Sequence, residues 1–169
     1  EQKYFMNTEK TETERMTDGV ELTDEMLLEY SDEVYEKDDS RPVLIEPGEY
    51  SAELVDWSKQ FSPQFRKFTV VMHFRIGTDV IPGWFNIEPS DSKTTIKAGW
   101  KSNFLRMYQA CLDKRLDRRD RISMRPFEDK PLVVEVITIQ RDSNQDPLAE
   151  VNHYSRVKRV LQVEEVIPF

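Results

Sequence analysis

Aromatic and basic side chains recur on what alternation predicts to be the outward faces of several strands. Cations attract phosphates and aromatic rings stack on bases, so together they can bind single-stranded nucleic acid without reading its sequence. In residues 67–76, every second position is apolar, and the opposite row carries Lys67, His73 and Arg75. Because side chains alternate between the faces of a strand, we expect these three to face outward. The row expected to face the core is Phe68, Val70, Met72, Phe74 and Ile76.

Two further predicted strands add rings and cations to this outward face. On a strand over residues 81–88, the outward candidates are Trp84 and Asn86. On a last strand over residues 154–163, they are Tyr154, Arg156 and Lys158. Each ring that stacks on a base contributes about 1–3 kcal/mol, so two or three rings would supply useful affinity.

A third group of rings flanks the first predicted turn. Residues 58–64 are expected to form a binding loop there, accompanied by Trp57, Phe61 and Phe65. Aromatic residues are commonly part of a core, so we expect at least half of these three and Trp84 to pack against protein. Trp84 is the strongest single candidate for contact with a base, because alternation places it outward.

Residues suited to catalysis or metal binding are sparse. The two histidines, His73 and His153, and the single Cys111 lie in no metal-type motif. The five glycines form no phosphate-binding loop, and no acidic pair has an apolar setting that would tune a proton donor. Cys111 lies on the apolar side of a predicted helix, where we expect an inert core residue. The sequence favours a protein that is not an enzyme, with no metal site and no cofactor.

The order of the predicted elements indicates the fold class. Three strands come first, then an amphipathic helix from Ile96 to Leu112, which includes Trp100 in its apolar stripe, and then two more strands. This is the order of the five-stranded OB barrel, a mainly β fold whose outer face on the second and third strands binds oligonucleotides. We expect such an OB-like barrel over residues 42–163. The predicted strands cover residues 49–57, 67–76, 81–88, 132–139 and 154–163.

The net charge of -8 is concentrated at one end of the chain. Residues 1–41, here called the acidic arm, hold 14 acidic and 5 basic side chains, whereas residues 42–169 hold 18 and 19. An acidic segment beside a nearly neutral body is typical of a segment that contacts something basic. The arm is expected to be partly disordered, or to form one short helix after Thr23.

A basic cluster follows the predicted helix. Three aspartates, Asp113, Asp117 and Asp120, are interleaved with it, so we favour a salt-bridged connection over a phosphate-binding patch. The cluster consists of Lys114, Arg115, Arg118, Arg119, Arg121 and Arg125.

The chain ends in Glu164-Glu165-Val166-Ile167-Pro168-Phe169, here called the C-terminal tip. A basic, concave pocket on a partner could bind its carboxylate through arginines and its ring in an apolar slot. The alternative is the packed end of a last strand. The tip resembles the acidic Ile-Pro-Phe tip of bacterial single-stranded DNA-binding proteins, which implies recruitment of replication and repair enzymes. The implied contact residues are Glu164, Glu165, Ile167, Pro168 and Phe169.

Three short motifs carry a second resemblance, which covers residues 47–161. They are Pro47-Gly48-Glu49-Tyr50, Lys67-Phe68 and Tyr154-Ser155-Arg156-Val157. With these motifs the body resembles small phage and plasmid proteins thought to bind single-stranded DNA in replication or recombination. The resemblance implies a functional class and no role for any single residue.

These patterns together predict a non-catalytic single-stranded DNA-binding protein of a mobile element, with a recruiting tip. The alternative is an adaptor whose acidic arm mimics DNA and occupies a basic site on an enzyme of the host or of the element. Burial of both Trp57 and Trp84 would favour the adaptor. One cysteine and the lack of a membrane-length apolar run predict a cytoplasmic protein with no membrane partner. A homo-oligomer is compatible with the sequence.

Overall fold

The computed structural model describes residues 42–112 and 115–164. This part of the chain is mainly β, with a five-stranded sheet, a two-stranded sheet and one α-helix. The long strands are β1 (Gly48–Ser62), β2 (Lys67–Ile76), β3 (Asp79–Ile87), β6 (Pro131–Ile139) and β7 (Tyr154–Val163). The short strands are β4 (Thr95–Ile96) and β5 (Ile122–Ser123), and the helix is α1 (Asn103–Leu112). Short 3-10 turns cover Arg125–Phe127 and Glu150–Asn152.

All neighbouring strands of the large sheet are antiparallel, in the order β3-β2-β1-β6-β7. The expected succession of three long strands, a helix and two long strands is confirmed. β3 and β7 are the outer strands, and no ladder joins them in the described residues, so the sheet is not closed into a barrel.

The core lies on the side of the sheet that the β2 alternation predicts. Phe68, Val70, Met72 and Phe74 are buried, and Ile76 is half-buried. Helix α1 packs on this side through Phe104, Leu105, Met107 and Tyr108. Burial of these apolar side chains away from water supplies most of the stabilisation of such a fold.

The predicted start of the helix is wrong. Ile96 belongs to β4 and is fully buried, and Trp100 lies in a turn with 51% of its surface exposed. The helix begins at Asn103 because Ser102 caps it: the Oγ of Ser102 accepts a hydrogen bond from the backbone N–H of Leu105, at 3.1 Å. The predicted end at Leu112 is confirmed.

The predicted binding loop is also wrong. β1 continues to Ser62, so residues 58–62 belong to a strand paired with β2, and the turn covers only residues 63–66. A register shift between Leu54 and Asp56 marks a β-bulge in this strand. The bulge reverses which side chains face the core: Leu54 lies opposite Phe74, and Trp57 lies opposite Met72.

The outer edge of β7 is covered in part by α1. The backbone N–H of Val160 donates to the sulfur of Met107 at 3.1 Å, and the thiol of Cys111 donates to the carbonyl of Val160 at 3.3 Å. Cys111 packs against the core as expected, and burial raises the pKa of its thiol to about 11. These contacts occupy backbone groups that a bare edge strand would expose.

Farther along the same edge, β7 closely approaches β3. A side chain at Gly83 would place its Cβ 3.1 Å from the carbonyl oxygen of Val157 and 3.2 Å from Cε2 of Phe85. Only a residue without a side chain allows the two strands to lie this close.

Replacing Gly83 with valine is therefore expected to lower the free energy of unfolding by about 1–3 kcal/mol, as overpacked sites do. Chemical denaturation measures the loss. The matched control is Gly48→Val in β1, where the nearest atom to a Cβ, the Cε2 of Tyr50, is 3.8 Å away. A loss no larger than in the control would show that the approach of β3 to β7 does not matter for stability.

Candidate nucleic-acid interface

The polar candidates of β2 and β3 share the outward face of the sheet. Pairing places Val71 opposite Trp84, and Thr69 opposite Asn86. The predicted outward positions on these two strands follow directly from this register. The outward residues are Lys67, Thr69, Val71, His73 and Arg75 on β2 and Val80, Pro82, Trp84 and Asn86 on β3.

The indole of Trp84 and the phenol ring of Tyr154 form the centre of this face. Their centroids are 6.5 Å apart at an interplanar angle of 86°, an edge-to-face contact between β3 and β7. Trp84 keeps 37% of its surface exposed. The two rings therefore form one aromatic platform across the boundary between the outer strands.

Trp84 also covers part of its own strand pair. Val71 is fully buried although it lies on the outward row, and its cross-strand neighbours there are Ser58 and Trp84. Side chains directly opposite each other on one face are in contact distance. The indole thus contacts Val71 on one side and Tyr154 on another. These contacts restrict its rotamers before binding, so the indole loses less conformational entropy when a base stacks on its exposed part.

Three cations of this face have no ion-pair partner within the described chain: Lys67, Arg75 and Arg156. Lys67 and Arg75 are exposed and Arg156 is half-buried. Arg156 is two residues from Tyr154 and faces the same way, since the intervening Ser155 is buried. Unpaired cations on both sides of the rings are the arrangement that phosphates of a stacked strand need.

Two other basic candidates already contact carboxylates. The Nδ1 of His73 lies 2.5 Å from an oxygen of Asp56 on β1. Lys158, at a bulge of β7, lies 3.9 Å from Glu135, which also binds Arg159 at 2.7 Å. Exposed ion pairs contribute little stability, so a phosphate could replace Glu135 at Lys158. His73 is the weaker candidate, because Asp56 brings a negative charge to the same face.

The rings near the first turn differ in their surroundings: two pack on the core side of the sheet and one lies in the turn. Trp57 faces the core and donates its Nε1–H to Glu128 Oε1 at 3.0 Å. The ring of Phe61 packs on Phe68, with centroids 4.8 Å apart. Phe65, in the turn, is 49% exposed. The expectation that at least half of the four rings pack against protein is confirmed by Trp57 and Phe61, and neither lies on the face of Trp84.

Three members of the face are absent from the predicted site residues, although alternation places one of them, Thr69, on the outward row of β2. Val80 is 41% exposed and lies opposite Arg75, and Pro82 lies opposite His73. Thr69 lies between Gln60 and Asn86. Alternation is enough to place such positions outward, but valine, proline and threonine carry no signal for binding nucleic acid.

Two arginines of the basic cluster form ion pairs, as expected of a salt-bridged connection. Arg118 forms a bidentate pair with Asp120, at 2.9 and 2.7 Å, and this hydrogen bonding lowers the pKa of the Asp120 carboxyl to about 2. Arg119 binds Glu88 at 2.7 Å. Lys114 and Asp113 lie outside the described residues.

The acidic arm joins the body beside the aromatic platform. The backbone N–H of Ser155 donates to the carbonyl of Val43 at 2.9 Å, and the Ser155 hydroxyl bonds both backbone groups of Ile45 at 2.8 and 3.2 Å. Ser155 lies between two outward candidates, Tyr154 and Arg156. Residues 43–45 thus follow the β7 edge at the platform, and the arm itself lies outside the described residues.

The C-terminal tip lies almost wholly outside the described residues. Its first residue, Glu164, is described, and its backbone N–H donates to the carbonyl of Pro131 at 2.8 Å. Pairing of β7 with β6 therefore extends to the boundary of the tip. Glu165, Ile167, Pro168 and Phe169, the other implied contact residues, have no described placement.

Comparisons with protein-family models, with curated proteins and with solved structures found no match to this chain. Among the described residues, no group of three or more His, Cys, Asp or Glu side chains is placed to hold a metal ion. No helix in residues 42–112 and 115–164 is long and apolar enough to cross a membrane.

Proposed function

We propose that the protein binds single-stranded DNA on the outward face of β2, β3 and β7, without catalysing a reaction. The observation that carries this proposal is the exposed platform of Trp84 and Tyr154 among Lys67, Arg75 and Arg156, three cations with no ion-pair partner in the described chain. Bases stack on such rings while the phosphates contact the cations.

We further infer that the five long strands have the arrangement of an OB-like barrel. The order β3-β2-β1-β6-β7, with a helix before β6, supports this inference, since OB barrels have their helix between the third and fourth long strands. The close approach of Gly83 to Val157 supports it too, because the two outer strands lie side by side at that point. In this arrangement the platform joins the second, third and fifth long strands.

Preference for single strands follows from the kind of contact. In a duplex the faces of the bases are stacked on one another and cannot reach the rings, so only the phosphate contacts remain. With three contacts, the slope of log Kobs against log salt for a single strand is expected to be about -2. That slope is shallow, so stacking carries a large share of the affinity.

The adaptor hypothesis is supported by the charge of the arm and by the placement of Trp57 toward the core. Burial of both Trp57 and Trp84 would have favoured it further, but Trp84 keeps 37% of its surface exposed, which supports DNA binding instead. Under the DNA-binding proposal, the protein belongs to a mobile element and acts in replication or recombination. The tip would recruit partner enzymes.

Titration with oligo-dT, followed by quenching of tryptophan fluorescence at several salt concentrations, tests the proposal. Saturable quenching whose midpoint rises with salt supports it. The absence of quenching at low salt would contradict it, because a base that stacks on the exposed indole of Trp84 must change the fluorescence of that ring.

Deleting residues 1–41 is expected to tighten binding to oligo-dT and to steepen its salt dependence. The arm carries a net charge of -9, and residues 43–45, which follow it in the chain, lie beside Ser155. We therefore expect its carboxylates to compete with phosphates. The same titration measures the change. Unaltered DNA binding, together with loss of a protein complex in a pull-down, would support the adaptor hypothesis instead.

A further inference from the structure

A pocket of about 470 Å³ lies on the core-facing side of β1, away from the aromatic platform. Its volume falls within the range of about 300–1,000 Å³ typical of small-molecule sites. The side chains that matter for its chemistry are Trp57, Lys93, Thr94, Ser123, Arg125 and Glu128.

Hydrogen bonds hold the walls of this pocket in place. The Nε1–H of Trp57 donates to Glu128 Oε1 at 3.0 Å, which fixes the plane of the indole. Next to the pocket, the ammonium group of Lys59, also on β1, donates to the hydroxyl of Ser90, at 2.8 Å, and to the carbonyl of Ser92. The hydroxyl of Thr95 donates to that of Ser92 at 2.8 Å. The segment that carries Lys93 and Thr94 is therefore anchored without a ligand.

The lining combines a flat ring with donors suited to an anion. Arg125 is exposed and has no ion-pair partner in the described chain, so its guanidinium can bind a phosphate in a bidentate way. The Ser123 hydroxyl accepts from the backbone N–H of Arg125 at 3.3 Å and keeps its own proton to donate. Lys93 adds a second positive charge. Glu128, bound to Trp57 through one oxygen, has its second oxygen as an acceptor.

We propose that this pocket binds a nucleoside monophosphate group. The base packs on Trp57, and the phosphate contacts Arg125, Lys93 and Ser123. The second carboxylate oxygen of Glu128 accepts a hydrogen bond from the amino group of the base or from a sugar hydroxyl. The site is distinct from the outward face and does not depend on it. The same group can come from a free mononucleotide or from the phosphorylated end of a strand.

A protein with Trp57 as its sole tryptophan tests the proposal. In the Trp84→Phe/Trp100→Phe background, titration with dAMP is expected to quench the fluorescence of Trp57 to saturation. Adding Arg125→Gln should raise the Kd for dAMP about tenfold or more, since a hydrogen bond to a charged group is lost. The matched control is Arg106→Gln, an exposed arginine of α1, which should leave the Kd unchanged.

Two further ligands and one further variant complete the test. Deoxyadenosine should bind at least about tenfold more weakly than dAMP, and inorganic phosphate should displace dAMP. If Arg125→Gln does not fold, Ser123→Ala should still weaken dAMP binding while leaving deoxyadenosine unaffected. No quenching by dAMP, equal affinity for deoxyadenosine, or equal effects of Arg125→Gln and Arg106→Gln would overturn the proposal.

Oligo-dT with a 5′ phosphate distinguishes the two sources. Displacement of dAMP by the phosphorylated oligonucleotide, and not by the unphosphorylated one, identifies the end of a strand as the ligand. Binding of the oligonucleotide without displacement identifies a free mononucleotide. Either result supports the pocket. Failure of the outward face would appear separately, as an absence of oligo-dT binding with dAMP binding intact.

Discussion

Replacing Trp84 with alanine is expected to weaken binding of oligo-dT by about 1–3 kcal/mol, a rise in Kd of roughly fivefold to 150-fold. The exposed part of this indole offers the central stacking surface, and alanine leaves no ring for a base. The remaining contacts, Tyr154 and the three unpaired cations, would retain weaker, more salt-sensitive binding. Fluorescence anisotropy of a labelled oligo-dT measures the change independently of the tryptophan that is lost.

Two further variants separate stacking from stability. Trp84 also covers Val71, so the alanine variant exposes an apolar side chain. Trp84→Leu keeps an apolar side chain over Val71 and removes the ring. It should lose a similar amount of affinity for oligo-dT. Trp100→Ala is the matched control: Trp100 is 51% exposed and lies in the turn before α1, so its loss should leave affinity unchanged. Full affinity in a folded Trp84→Leu protein would remove this residue from the binding site.

Deleting Phe169 is expected to abolish recruitment of a replication or repair enzyme while DNA affinity stays level or rises slightly. A docking pocket that binds the terminal carboxylate and the ring together is left with unpaired cations when either is displaced. Adding one residue after Phe169 should therefore have the same effect. Pro168 restricts the backbone of the tip and lowers the ordering cost on binding. A pull-down with the full-length protein and its variants measures recruitment.

A melting curve distinguishes recruitment from packing. The ladder between β7 and β6 extends to Glu164, so a tip that continued to pack on the core would stabilise the body. A docking tip predicts an unchanged Tm on deletion of Phe169 and a partner for the isolated Val163-to-Phe169 peptide. A lowered Tm with no peptide partner would contradict the recruiting hypothesis.

The two faces of β2 could be predicted because a single physical rule decides them. Five apolar residues at period two specify the core side over a whole strand, and a slip by one residue would expose all of them. The outward placement of His73, Arg75 and Trp84 follows from that row and its neighbour in register. The succession of elements could be predicted for a related reason. Apolar residues recur at every second position in a half-buried strand and at every third or fourth position in an amphipathic helix.

The placement of Trp57 and Phe61 could not be predicted, because a bulge decides it. Tyr50 and Leu54 face the core at even positions, and after the bulge Trp57 and Phe61 face it at odd positions. The extra residue, Val55, is 43% exposed. A bulge depends on how two strands pair across the sheet, and no residue type near Val55 predicts one. The pocket beside Trp57 could not be predicted from the sequence for the same reason.

The predicted start of α1 was wrong because Ile96 of β4 lies at helical spacing from the apolar residues of the helix. Ile96 and Phe104 are both fully buried, but Ile96 reaches the core from β4. Ser102, an ordinary N-cap residue, was the available signal for the true start. The sequence also could not predict which cations form ion pairs. Glu135 comes close to Lys158 and Arg159 only because β6 pairs with β7.

Competition between single-stranded and duplex DNA of the same sequence tests the central claim most directly. The protein, bound to labelled oligo-dT at moderate salt, is titrated with an unlabelled mixed-sequence oligonucleotide, either single-stranded or annealed to its complement. Stacking on Trp84 and Tyr154 predicts that the single strand competes at a concentration at least about tenfold lower than the duplex, because each stacked base contributes about 1–3 kcal/mol. Equal competition by the two would contradict binding through the aromatic platform.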